Sequence, residues 1–133
     1  MTTIHTDVYN RLRGDAGVAA LVAQRIYPVE LPQEPTLPAI TYHMLSDPTE
    51  HMLNEATSSF RIASIQVQSW ATTWLGAIAL SNAVTAAMDG FAGLLGGATG
   101  ERAWVTQTNA VDLGDDRTGW KRRIINFEVW RTA

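Results

Sequence analysis

The segment from Phe60 to Trp70, FRIASIQVQSW, alternates apolar and polar residues, and this pattern constrains the fold more than any other part of the chain. Successive side chains of a β-strand point to opposite faces of its sheet. The apolar residues of one face are then Ala63, Ile65 and Val67, and the polar residues of the other are Ser64, Gln66 and Gln68. The pattern predicts a strand in a sheet that has one covered face and one polar face.

Two further segments near the end of the chain alternate in the same way. They run from Arg102 to Leu113 and from Arg122 to Arg131, and the residues between them include the turn formers Gly114, Asp115, Asp116 and Gly119. We therefore predict an antiparallel hairpin. The residues expected on its covered face are Val105, Val111 and Leu113 in the first segment and Ile125, Phe127 and Val129 in the second.

A long alanine-rich helix is predicted between these strands. Thr72 or Thr73 can cap its start, and Gly90 can end it after Asp89. Its polar residues form one narrow stripe of Ser81, Asn82, Thr85 and Asp89, and its apolar residues are Leu75, Ile78, Ala79, Leu80, Ala83, Val84, Ala86 and Ala87. So large an apolar surface predicts a central helix packed on the sheet.

Two shorter helices are predicted at the start of the chain. Thr3 or Thr6 can cap the first, which ends at Gly14, and Asp15 can cap the second, from Ala16 to Ala23. The spacing of the second helix predicts burial of Val18, Leu21 and Val22.

Prolines and glycines mark the segments between the predicted elements. Four prolines at positions 28, 32, 35 and 38 predict an extended connector, which leads into a strand from Ala39 to Leu45. The stretch from Gly93 to Gly100 is predicted to be a flexible joint. Together the elements predict one α+β domain over residues 1–133, with a mainly antiparallel sheet of about four strands and helices packed on one face.

Composition excludes several classes of protein. The chain is 46% hydrophobic and 17% charged, which is typical of a folded domain, and it has no cysteine for disulfides or cysteine-ligated zinc. It has neither an apolar stretch that could span a membrane nor a secretory signal at its start, so we expect no membrane partner. The net charge of -3 disfavours general binding of nucleic acid. Locally, Arg117, Lys121, Arg122 and Arg123 indicate either a solvated hairpin tip or a contact patch.

Signatures of catalysis are missing from the sequence. The glycines near position 96 are followed by Glu101 and lack the lysine of a phosphate-binding loop, and no GxSxG nucleophile motif occurs. His51 and its acidic neighbours could hold a metal, but their spacing fits no standard ligand pattern and a solvated loop explains them more simply. We predict His43 to be a satisfied, half-buried side chain and His5 to lie on the surface. No enzyme activity, cofactor or metal is expected.

Five tryptophans in 133 residues indicate either contact surfaces, because tryptophan is enriched where proteins bind each other, or large core residues. If Val105 and Val129 point inward, Trp104 and Trp130 point outward, either beneath another subunit or beneath a further helix of the same chain. The irregular loop from Asp47 to Ser59 contains Met52 and Leu53, which either dock on a partner or fold back onto the sheet. The candidate interface residues are Met52, Leu53, Trp104, Trp120, Arg122, Arg123 and Trp130.

Several motifs resemble the phage tail-completion family, which includes the tail terminators of long-tailed phages. A helix is followed by an "RIYP" turn, a proline-rich connector and an "LPxI" strand, and the alternating strand leads at once into an alanine-rich helix. The matching residues of the first part are Arg25, Ile26, Tyr27, Pro28, Leu37, Pro38 and Ile40, and the matching strand runs from Arg61 to Trp70. The resemblance covers most of the chain, although from Gly93 onward it concerns the order of elements more than the residues.

This resemblance implies a structural virion protein of the tail neck, assembled in the host cytoplasm. Such a protein forms a homo-oligomeric ring, usually a hexamer, on the tail tube protein, stops tube growth and presents a surface to the head-tail connector protein. DNA would pass through the ring without specific binding. Other head-tail connector or neck proteins of similar size remain an alternative, as do a cytosolic adaptor and a ligand-binding or hydrolytic domain.

Overall fold

A computed structural model describes residues 4–46, 60–94, 102–114 and 119–132. Within these residues the chain forms one sheet and three helices. The helices are α1 (Ile4–Gly14), α2 (Ala16–Val22) and α3 (Trp74–Met88). The strands are β1 (Ile26–Pro28), β2 (Ala39–Ser46), β3 (Phe60–Ala71), β4 (Ala92–Leu94), β5 (Arg102–Gly114) and β6 (Lys121–Thr132). The predicted α+β class is confirmed.

The helix ends follow the capping residues that the sequence indicated. The Asp15 side chain accepts a hydrogen bond from the backbone N–H of Val18 at 3.0 Å and so caps α2. Thr73 caps α3, because its Oγ1 accepts from the N–H of Gly76 at 3.0 Å. Gly90 follows α3 with a φ of 78°, a conformation in which glycine has no steric penalty.

Replacing Thr73 with alanine should lower the free energy of unfolding by about 1 kcal/mol, because the N–H of Gly76 would lose its partner. The control is Thr72→Ala, which removes an exposed threonine one residue away and should change stability by less than about 0.5 kcal/mol. Chemical denaturation of both variants measures the difference. Equal losses in the two variants would show that Thr73 is not the effective cap.

The sheet has six strands in the order β1-β2-β3-β6-β5-β4, so the predicted number of about four is wrong. The predicted hairpin is present, with β5 and β6 antiparallel, and all other pairs are antiparallel except β1 with β2. The two unpredicted strands, β1 and β4, have three residues each and lie at the edges. A three-residue strand is too short to show alternation, and β4 begins the glycine-rich stretch that was predicted to be a joint.

One face of the sheet is covered by the helices, as predicted. The core joins the inner residues of the three helices to those of the central strands. Its members include Val8, Leu12, Val18, Val22, Leu80, Val84, Ala63, Ile65, Val67, Ile125, Phe127 and Val129. The inward faces predicted for β3 and β6 are therefore confirmed.

Three side chains of the helices depart from their predicted burial. Leu21 is 38% exposed. The seven-residue α2 buries Val18 and Val22, which lie one turn apart on one side of the helix, and Leu21 lies outside that side. Leu75 is 81% exposed because it lies in the first turn of α3, before the buried positions begin at Ala77. Ser81 is buried four residues after Ala77, and its hydroxyl donates to the Ile78 carbonyl at 3.3 Å.

A register shift between Gln107 and Asn109 corrects the predicted face of β5. Val105 is buried, but Val111 and Leu113 lie on the opposite face and are exposed. One extra residue in a strand moves all later side chains to the other side of the sheet. The alternation in the sequence therefore holds on each side of the shift, but the two halves of β5 face in opposite directions.

Candidate functional site: the open face of the sheet

The sheet face opposite the helices is called here the open face, because the described helices pack on the other side of the sheet. Its side chains alternate with the buried residues of β2, β3, β6 and β5. They include Thr41, His43, Gln66, Gln68, Trp70, Arg122, Ile124, Asn126, Glu128, Trp130, Trp104, Asn109, Val111 and Leu113. Polar residues occupy its centre and tryptophans lie at both ends.

A pair of stacked tryptophans forms one end of the open face. Trp104 of β5 and Trp130 of β6 are directly opposite in register, with ring centroids 6.1 Å apart and planes inclined by 9°. Val105 and Val129 beside them are buried on the helix side, so the outward direction predicted for both tryptophans is confirmed. Trp104 is 37% exposed, and the three described helices lie on the other face.

The centre of the open face contains a directional chain of side-chain hydrogen bonds. Arg122 donates to Gln68 Oε1 at 2.9 Å, and Gln68 donates to Gln66 Oε1 at 2.9 Å. Gln66 in turn donates to Asn126 Oδ1 at 3.2 Å, and Asn126 donates to Asn109 Oδ1 at 2.7 Å. The chain crosses β3, β6 and β5 and satisfies these amides within one subunit. It fixes their orientation before any partner binds.

Aromatic and basic residues form the other end. The Trp70 indole N–H donates to Thr41 Oγ1 at 3.0 Å, and the Trp120 ring meets Trp70 edge-on at 6.3 Å between centroids. The guanidinium of Arg122 lies 5.0 Å from the centroid of Trp70, which is within the range of a cation–π interaction. Arg122 therefore links this aromatic cluster to the amide chain.

A family model described as "Tail completion protein gp17" matches residues 6–132. The chain belongs to this tail completion family. No curated protein matches it. Among solved structures, it resembles a chain from the "Virion of native gene transfer agent (GTA) particle", with a TM-score of 0.70 over 98% of this chain and 95% of that one. The two are 19% identical, so this likeness concerns the fold.

The resemblance to the tail-completion family that the sequence indicated is therefore confirmed. As a member, the chain is a structural protein of a phage-type tail. Within the part of the chain that the structure describes, no group of three or more histidine, aspartate or glutamate side chains could hold a metal. No described helix of the tail completion protein is both long and apolar enough to cross a membrane.

The predicted interface residues of this tail completion protein fall into separate places. Trp104 and Trp130 form one end of the open face, and Trp120 and Arg122 meet at the other through Trp70. Arg123 lies on the helix side of the sheet, where its guanidinium is 3.8 Å from Asp112. Met52 and Leu53, the loop from Asp47 to Ser59 and the metal ligands considered there lie outside the described residues.

Two features of the tail completion protein differ from the sequence analysis or were missed by it. His43 is half-buried as predicted, but its Nδ1 has no hydrogen-bond partner among the described residues, so it is not fully satisfied. The amide chain was missed, although alternating glutamines in β3 gave a partial signal. The exposure of Trp74 and Leu75 was also missed, because an apolar helix start looks the same whether buried or exposed.

Proposed function

We propose that the chain assembles into a hexameric ring on the last ring of tail tube subunits. The ring ends tube growth and provides the surface to which the head-tail connector binds. The observation that carries this proposal is the family match across residues 6–132. A protein with this role would lie at the neck of the virion. It would be assembled there in the host cytoplasm.

The arrangement of the fold supports a ring. A closed ring is built from heterologous contacts, so each subunit needs two different complementary surfaces. The described helices cover one side of the sheet, and the open face on the other side has a hydrogen-bonded polar centre between two aromatic ends. Such a subunit can contact neighbours through unlike surfaces while its core stays intact.

The stacked pair of Trp104 and Trp130 is the part of the open face that we assign to the tail tube. The rings lie side by side on the outside of a rigid sheet, so binding would cost little conformational entropy. Large aromatic side chains of this kind dominate the energy of many interfaces. Arg122 and Arg123 lie at the opposite end of β6, and Trp120 directly precedes that end, so these residues are not part of the proposed tube contact.

DNA would pass through the ring without tight binding. The chain is net acidic, and a duplex that must slide needs a lumen without dense positive charge. We expect weak binding that weakens further with salt. Sequence-specific binding at physiological salt, with a dissociation constant below about 1 μM, would contradict this expectation.

The proposal predicts a particle close to six times the 14.6 kDa subunit mass in solution or on isolated tails. Mass photometry and electron microscopy of the purified chain measure this directly. Tails assembled without the protein should be overlong and unable to join heads, and addition of the chain should cap them at normal length. A chain that remains a dimer at every concentration and does not cap tails would contradict the proposal. A position elsewhere in the neck would instead indicate a connector.

A further inference from the structure

An exposed corner lies where α3 begins beside the ends of β5 and β6. Its residues are Trp74, Leu75, Leu113, Lys121 and Arg122, which we call the basic corner. Leu113 and Arg122 are opposite each other in register, and a Cβ at Gly114 would be 3.7 Å from the Trp74 ring. Trp74, Leu75 and Leu113 are all exposed. Leu113 and Arg122 lie on the open face, whereas Lys121 and Trp74 lie on the helix side, so the basic corner extends around the end of the sheet from one face to the other.

The two cations of the basic corner are positioned by aromatic and amide side chains of the described residues. The Lys121 ammonium lies 5.6 Å from the centroid of Trp74, and Arg122 is oriented by Trp70 and Gln68. Within the described ranges, no carboxylate is within salt-bridge distance of either residue, and the nearby Asp112 is instead 3.8 Å from Arg123. Among the described residues, the corner thus presents one positive charge on each side of the sheet end.

The connector between β1 and β2 has the complementary character. Val29 is 63% exposed, and Glu30 and Glu34 are exposed with no described cation within salt-bridge distance. Both ends of the segment are tied down: the Val29 N–H donates to the Tyr42 carbonyl at 2.8 Å, and the Arg25 side chain donates to the Pro38 carbonyl at 2.9 Å. The segment is an acidic, proline-rich surface with anchored ends, which we call the acidic connector.

The two surfaces belong to different halves of the sheet. The acidic connector joins β1 and β2, whereas the basic corner is built on β5 and β6, beyond β3 in the strand order. One subunit therefore carries two unlike and complementary surfaces. This is the requirement for a heterologous contact that repeats around a ring.

We propose that the basic corner of one copy of this chain docks on the acidic connector of the next copy. Lys121 and Arg122 would pair with Glu30 and Glu34, and Trp74 and Leu75 would pack on Val29 and the neighbouring prolines. The inference rests on the proposed ring and identifies the surfaces that join its subunits. A second copy is the occupant chosen because the chain itself supplies the opposite charge and an exposed apolar residue.

The test uses charge reversal at each surface. The corner variant carries Lys121→Glu and Arg122→Glu, and the connector variant carries Glu30→Lys and Glu34→Lys. Each variant on its own would place like charges on the two sides of every contact between subunits. The protein concentration needed for ring assembly should therefore rise at least about tenfold. Arg13→Glu, at an exposed position of α1, is the control and should assemble normally. Thermal melting confirms folding, and the connector variant keeps the test valid if the corner variant unfolds.

An equimolar mixture of the two variants gives the decisive result. Every corner of one variant is then opposite in charge to every connector of the other, so an alternating ring closes with an even number of subunits. Native mass spectrometry should show rings with three copies of each variant at concentrations where neither assembles alone. A folded connector variant that assembles as readily as the natural chain would overturn the inference but leave the ring intact.

The other possible outcomes of the test can also be distinguished from one another. A corner variant that forms rings but does not complete tails would assign the corner to another tail protein and overturn the inference. A corner variant that forms rings but loses residual DNA binding would assign the corner to DNA, with the same consequence. A natural chain that forms no ring in solution or on tails would overturn the proposed function and this inference with it.

Discussion

Replacing Phe127 with alanine is expected to lower the free energy of unfolding by about 3–5 kcal/mol. Phe127 has no exposed surface and lies at the middle of β6, between Ile65 of β3 and Gln107 of β5. Its ring is the largest fully buried side chain among the described residues. A single domain is typically stable by about 5–15 kcal/mol, so this change removes a large part of the total.

The measurement is chemical denaturation of the purified variant, with Leu75→Ala as the control. Leu75 is also a large apolar residue, but it is 81% exposed, so its truncation should change stability by less than about 0.5 kcal/mol. Equal effects of the two substitutions would show that the core is not centred on β6. Phe127→Leu keeps most of the buried volume and should fall between them.

The strands β3 and β6 and the helix α3 were predictable as elements because their sequence patterns are long. In β3, apolar and polar residues alternate from Ala63 to Gln68, and the buried set of Ala63, Ile65 and Val67 follows directly. The same holds for Ile125, Phe127 and Val129 in β6. The caps Asp15 and Thr73 were predictable for a local reason, since each bonds to a backbone N–H three residues later.

The elements that were missed depend on partners distant in the sequence. β1 exists because Ile26 pairs with Ile40, and β4 exists because Ala92 pairs with Trp104. Neither three-residue segment carries a period of its own. The register shift at Thr108 in β5 was missed for a similar reason. Nothing in the local sequence marks this shift, yet it decides that Val111 and Leu113 face away from the core.

The candidate site, like the fold, was predictable from the sequence only in part. The outward direction of Trp104 and Trp130 followed from alternation alone, but their stacking required the register of β5 against β6. The amide chain needs Gln66 and Asn126 side by side, although they are sixty positions apart in the chain. Exposure of Leu75 depends on where along α3 the buried positions begin. Residue types were thus readable from the sequence, whereas their assembly into surfaces was not.

Replacing both Trp104 and Trp130 with alanine should leave the subunit folded but abolish its capping of tails. The stacked pair contributes about 0.5–1.5 kcal/mol within the subunit, a loss that a stable domain tolerates. At the proposed contact with the tail tube, each tryptophan lost as a hot spot costs about 2 kcal/mol or more, and the double variant should bind tubes at least about 100-fold more weakly.

The control is Leu21→Ala, which truncates an apolar residue of nearly the same exposure on the helix side of the sheet. It should cap tails normally, because α2 lies on the face away from the proposed tube contact. Tail length in electron micrographs and co-sedimentation with tail tubes measure both variants. If the double tryptophan variant keeps its melting temperature and still gives tails of normal length, the tube contact does not lie at this end of the open face. Loss of capping while rings still form would show that these tryptophans serve the tube and not the neighbouring subunit.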